Sequence, residues 1–106
     1  MTRAVRRYDV VGRVQGVGFR WYVREHARAL DVSGWVCNAS DGSVVVMAAC
    51  TLEQHEQLER QLRQGPAGSM VRSVLISDVG DSGAVSDAIG TPLADAATFP
   101  FAVVRR

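Results

Sequence analysis

The sequence has no lysine. All 12 of its basic residues are arginine, so their number says little and their distribution says more. Cysteine is scarce, with only Cys37 and Cys50 in 106 residues. Two thiols cannot make a disulfide framework, and both are expected as reduced, half-buried side chains. No apolar run approaches the roughly 20 residues needed to cross a bilayer. The basic start, Met1-Thr-Arg-Ala-Val-Arg-Arg7, leads into no apolar stretch of the kind a secretory leader carries. A cytoplasmic protein without membrane contact is therefore expected. Histidine is as rare as cysteine, and His, Cys, Asp and Glu do not recur at ligand spacing, so no metal is expected. No dinucleotide fingerprint or P-loop is present either.

What remains is ordinary globular material. With 47% apolar and 22% charged residues, the chain reads as one folded domain over residues 1–106. That length buries a core without staples. The net charge is only +1, yet Arg3, Arg6, Arg7, Arg13, Arg20, Arg24 and Arg28 crowd the first quarter against Asp9 and Glu25. Such a cluster suits an anion site, a nucleic-acid surface or a plain solvated face.

Val5 to Val14 reads as a first strand, with β propensity at Tyr8, Val10 and Val11. Gln15-Gly-Val-Gly-Phe19 interrupts it. Phe19, Val23, Ala27 and Leu30 then recur at helical spacing. Ser33 to Asn38 is a second strand, Asp41-Gly42 a hairpin turn, and Val44 to Met47 the returning strand. Thr51 and Gln54 fit a capping box for a second helix with His55, Leu58 and Leu62 inside. On its outer side Glu56–Arg60 and Glu59–Arg63 are favourable pairs. Gly65-Pro66 stops that helix. Val71 to Ile76 is a fourth strand and Val79 to Ala96 a long loop. Phe99 to Val104 is a last strand, which Pro100 assigns to an edge. The order β-α-β-β-α-β plus an edge strand predicts an α+β, ferredoxin-like split βαβ sandwich: an antiparallel sheet with two helices on one face.

The segment Gly12-Arg-Val-Gln-Gly-Val-Gly-Phe-Arg20 lies between a strand and a helix start. Amides there are free and the helix dipole favours an anion. Gly16 and Gly18 let the backbone approach a ligand, so successive N–H groups can converge on phosphate oxygens. Arg20 can add a two-point contact. Taken alone, a glycine pair before a helix reads better as a plain tight turn.

Val14-Gln-Gly-Val-Gly-Phe-Arg20, then Ala27 and Leu30, then Gly34-Trp-Val-Cys-Asn38 and Asp41-Gly-Ser-Val44 together resemble the acylphosphatase family. The likeness runs from about Val5 to Ile76 and returns near the C-terminus. It implies a ferredoxin-like fold, no metal and no organic cofactor. It implies that Gln15, Gly16, Val17, Gly18, Phe19 and Arg20 bind phosphate, and that Arg20 and Asn38 are catalytic, Asn38 by placing the attacking water. The implied partners are a small acyl phosphate and inorganic phosphate; neither nucleic acid nor a second copy is expected. Asp31 departs from the family's usual glycine, but Asp tolerates the left-handed conformation better than most residues. Val45 and Cys50 also depart from common family residues, at positions away from the proposed chemistry.

Other residues read more plainly. His26 and His55 lie at the edges of apolar helix faces and are expected to pack there. A thiol phosphatase needs an arginine one short loop after its cysteine, but Ser43 and Glu56 hold those positions. Cys37, beside Asn38, is expected to be open to oxidation. Trp35 is a core candidate, whereas Trp21 and Tyr22 could line an acyl pocket. Two alternatives stand beside hydrolysis: a single-stranded RNA-binding module on the same fold, and a phosphate-binding domain without turnover.

Overall fold

The computed structural model describes residues 3–79 and 98–104. Most of the expected 79–96 loop lies outside the described residues. Seven elements follow in order: β1 (Arg3–Arg13), α1 (Phe19–Ala29), β2 (Ser33–Asn38), β3 (Val44–Thr51), α2 (Leu52–Gln64), β4 (Met70–Asp78) and β5 (Ala102–Val103). The sheet order is β4-β1-β3-β2-β5. The first four strands pair antiparallel, which is the ferredoxin-like split βαβ arrangement. β5 pairs parallel to β2, Trp35 against Ala102, so the sheet is mixed rather than wholly antiparallel. A parallel partner cannot be joined by a tight hairpin, and β3, α2 and β4 intervene between β2 and β5.

The helices cover one face. α1 buries Phe19, Val23 and Ala27, and α2 buries His55, Leu58 and Leu62. They meet Tyr8, Val10, Val36, Val44, Val46 and Ala48 of the sheet. Side chains alternate along a strand, so Trp35, Cys37, Val45 and Met47 form a second buried cluster on the far face. β2 and β3 are thus apolar on both sides, which is why Val44-Val-Val-Met47 is a continuous run without alternation. β3 extends to Thr51, four residues past the expected end, because Ala48, Ala49 and Cys50 carry little strand propensity of their own. Cys37 is fully buried on the far face, not open to oxidation as expected, because its neighbour Asn38 takes the opposite side of the strand.

The helix ends follow local rules. Thr51 accepts from Gln54 N–H while the Gln54 side chain accepts from Thr51 N–H, a complete capping box. Past α1, Asp31 adopts a left-handed φ of 58°. Val32 N–H bonds Ala27 O and Asp31 N–H bonds Arg28 O, the Schellman pattern. Asp31 therefore does the work expected of glycine there. Arg63 pairs with Glu59 at 2.9 Å, but no bond joins Glu56 to Arg60.

His55 is fully buried. Its Nε2 lies 2.8 Å from Ala4 O, which can only accept, so Nε2 carries the proton. Nδ1 then accepts from the Tyr8 hydroxyl at 2.7 Å. Burial pushes the Tyr8 hydroxyl up to about 12 and holds His55 below the ordinary imidazole range. The folded state therefore binds fewer protons than the unfolded chain once pH falls near the free histidine value of about 6.5. Stability from this group is present above that value and lost as pH falls through it. His55→Gln, which cannot charge, is expected to be less stable at neutral pH but to lose less on acidification. The difference between the two proteins should shrink by at most about 1.4 kcal/mol per pH unit. Denaturant melts at several pH values measure it, and parallel profiles would refute the assignment.

Candidate active site

The turn after β1 is built around two glycines with left-handed backbone, Gly16 at φ 77° and Gly18 at φ 78°. Nothing lies within 4 Å of a β-carbon placed on either. Conformation, not space, therefore calls for glycine at these two positions. Gly18 is also the N-cap of α1, and it offers no side-chain cap. The first turn contains no acidic residue, and the first intrahelical bond runs from Tyr22 N–H to Gly18 O. The amides before Tyr22 have no intrahelical acceptor, and the positive end of the helix dipole is left uncompensated.

These amides border a cleft of about 300 Å³ lined by Val14, Gly16, Gly18, Phe19, Arg20, Trp21, Arg24, Asn38 and Val103. Two of the lining residues are arginines and none is acidic, so the cleft suits an anion. Arg20 is half-buried on the first turn of α1. No hydrogen bond or ion pair engages its guanidinium among the described residues. Asn38 closes β2 opposite Val44, and strand alternation turns its side chain to the helix side. Its Oδ1 is buried without a partner, whereas buried polar atoms are nearly always bonded.

Gln15 has a different position from the one its place in the motif suggests. Its side-chain amide donates to Ala39 O at 2.8 Å and Ser43 O at 3.0 Å. It ties the glycine loop to the β2–β3 turn, and only its backbone remains for a ligand. That turn is rigid in its own right. Asp41 accepts from Ser43 N–H and Ser43 Oγ, bonds that hold its carboxyl below the usual range. Val17 packs against the helix-side core and lies outside the cleft lining. The structure thus gathers Gly16, Gly18, Phe19, Arg20 and Asn38 in one cleft and sets the Gln15 and Val17 side chains beside it.

Sequence reasoning did not find three of the lining residues, Val14, Arg24 and Val103, and left Trp21 open. Val14 and Val103 show no polar signal. Val103 arrives through β5, which is fixed by Arg28 Nε to Phe101 O at 2.9 Å and Val104 N–H to Val36 O at 2.8 Å. Trp21 is 60% exposed and Arg24 stands one turn after Arg20. The i, i+4 spacing of the two arginines was the available clue. His26 lies tilted against Tyr22 with ring centroids 4.4 Å apart, and neither histidine lines the cleft. Among the described residues no three His, Cys, Asp or Glu side chains come together as a metal site, and no helix is long and apolar enough to cross a membrane.

A split βαβ fold with an anion cleft at the start of its first helix defines a class of small phosphate-handling domains. The acylphosphatase family model matches residues 6–87, and the chain belongs to that family. It is 46% identical over 77 residues to an acylphosphatase of Koribacter versatilis, covering 73% of this chain and 70% of that protein. It is 49% identical over 73 residues to one of Nitratidesulfovibrio vulgaris, covering 69% and 73%. The structure of an acylphosphatase from Coxiella burnetii superposes with a TM-score of 0.73 at 31% identity, covering 95% of this chain and 92% of that one.

The Gln15 brace should be measurable. Gln15→Ala removes two hydrogen bonds, each worth about 1 kcal/mol net. Ala39 O and Ser43 O keep the backbone partners Gly42 N–H and Ala39 N–H, so a loss of about 1–2 kcal/mol is expected. In a domain this size that lowers Tm by roughly 4–8 °C per kcal/mol. A Tm equal to the parent's would show that the brace does not hold the loop.

Proposed function

We propose that the chain cleaves the carboxyl–phosphate bond of acyl phosphates, giving carboxylate and inorganic phosphate. The backbone of the Gln15–Arg20 loop and the Arg20 guanidinium hold the phosphoryl group, and Asn38 orients the attacking water. The observation that carries this reading is the meeting, in one cleft, of an uncapped helix start, an uncommitted arginine and an unpartnered asparagine oxygen. Membership of the acylphosphatase family supports the substrate class.

The chemistry suits so sparse a set. The leaving carboxylate is weakly basic and needs no general acid. Phosphoryl transfer passes through a loose transition state, so catalysis rests on positioning and charge stabilisation. Loop amides and Arg20 meet the charge on the phosphoryl oxygens. Asn38 offers an oxygen and an amide to a water but is no base. As the water oxygen bonds to phosphorus and the phosphorus–carboxylate bond breaks, the water proton passes to a phosphoryl oxygen of the substrate.

The RNA-binding alternative needs aromatics exposed on the sheet. Here Phe19, Trp21 and Tyr22 lie on α1, and Trp35 is buried.

Arg20→Ala is expected to lose phosphate affinity and turnover together, since a charged hydrogen-bond donor is worth about 1.5–3 kcal/mol. Arg20→Lys should recover little, because an ammonium lacks the planar two-point contact. Near-parent kinetics for the lysine variant in an acetyl phosphate assay would rule that contact out.

Asn38→Ala should behave differently. Removing a buried, unpartnered oxygen relieves desolvation, so Tm should hold or rise. Turnover should fall strongly while competitive inhibition by phosphate stays close to the parent's, the signature of an interaction made in the transition state. A stable Asn38→Ala protein with parent-like kcat would remove asparagine from the mechanism.

A further inference from the structure

Resting on the hydrolase reading above, we propose that Arg24, backed by Trp21, forms an acyl-side subsite selecting acyl phosphates whose chain ends in a second anionic group. Arg20 and the loop amides already match the charge of one phosphoryl group. Arg24 is a second cation on the same cleft wall, four residues later on the same helix, so its side chain faces the same way as that of Arg20. One helical turn advances about 5.4 Å, the reach of an extended acyl chain of about four carbons. The cleft is small, about 300 Å³, which suits a short chain.

The neighbours of Arg24 orient it and leave its two terminal nitrogens open to a ligand. Its Nε donates to Glu25 Oε2 at 3.1 Å. Its guanidinium carbon stands 5.9 Å from the centre of the Trp21 ring. The Glu25 side chain is 46% exposed and that of Arg24 30%, and such a surface pair adds little. The Arg24 terminal nitrogens carry no hydrogen bond among the described residues. Trp21 is 60% exposed and so contributes little to the core. Its indole instead lines the cleft beside Arg24 as an apolar surface along which the carbon chain lies while its terminal anion meets Arg24.

The test compares two trans-unsaturated acyl phosphates of equal length, monofumaryl phosphate with a terminal carboxylate and crotonyl phosphate with a terminal methyl. The readout is the ratio of their kcat/KM values, which cancels effects on the shared phosphoryl chemistry. The parent should favour the carboxylate substrate, and added salt should shrink the preference. Arg24→Gln should lower the ratio by about 5- to 10-fold, as a partly exposed charged contact would. Arg24→Lys should keep part of it, and Trp21→Ala should slow both substrates. An Arg24→Gln ratio equal to the parent's, with both substrates turned over, would overturn the subsite alone. A parent that hydrolyses neither substrate would overturn the hydrolase reading with it.

Discussion

The site depends on one side chain that need not touch a ligand. Gln15 gives its amide to two carbonyls of the β2–β3 turn and so locks the glycine loop to the strand end that carries Asn38. Arg20 and Asn38 are far apart in sequence and belong to different elements. Without a link between their loops, each would move with its own backbone, and a misplacement of an ångström is enough to slow catalysis by positioning. The Asp41–Ser43 bonds stiffen the turn on the far side of the brace. The sheet register Asn38 to Val44 fixes where that turn begins.

Local rules are mostly obeyed away from the cleft, the partnerless buried Trp35 Nε1 excepted, and several are broken together at it. Away from the cleft, α2 has its full capping box, α1 its Schellman end, and His55 partners on both ring nitrogens. At the cleft, α1 starts without a cap, Arg20 lacks a counter-ion and Asn38 Oδ1 is buried unbonded. Each of these states is unfavourable in isolation, and together they point at the same small volume. Rule-breaking gathered at one place is the pattern expected of a functional site.

Much of this was legible in the sequence, and the failures have definite causes. Helix 2 could be read from its ends, since Thr51, Gln54 and Gly65 act through bonds to their immediate neighbours. The Asp31 substitution was readable for the same reason. β3 was read short because its last residues are strand only through pairing with β1 and β2. The parallel direction of β5 depends on a partner nearly 70 residues earlier in the chain, which no local pattern encodes. Cys37 was misjudged by treating a sequence neighbour of Asn38 as a spatial one, although alternation puts the two on opposite faces. Gln15 shows a subtler limit: a motif names the residues of a loop but not which side chains face inward.

The C-terminal strand completes the argument about how so small a domain holds a shaped cleft. β5 is only two residues long and would be a weak edge by itself. It is fastened from three sides: Val104 N–H to Val36 O along β2, Gly34 N–H to Thr98 O, and Arg28 from the last turn of α1 to Phe101 O. Phe101 is fully buried in the helix-side core, which adds roughly 1.5–3 kcal/mol of apolar burial to that fastening. Val103 is thereby held where it lines the cleft together with Arg20 and Trp21. The same helix thus presents Arg20 to the cleft from its first turn and, through Arg28, anchors the strand that carries Val103 from its last. A shift of α1 along the sheet would therefore act on both contributions to the cleft together.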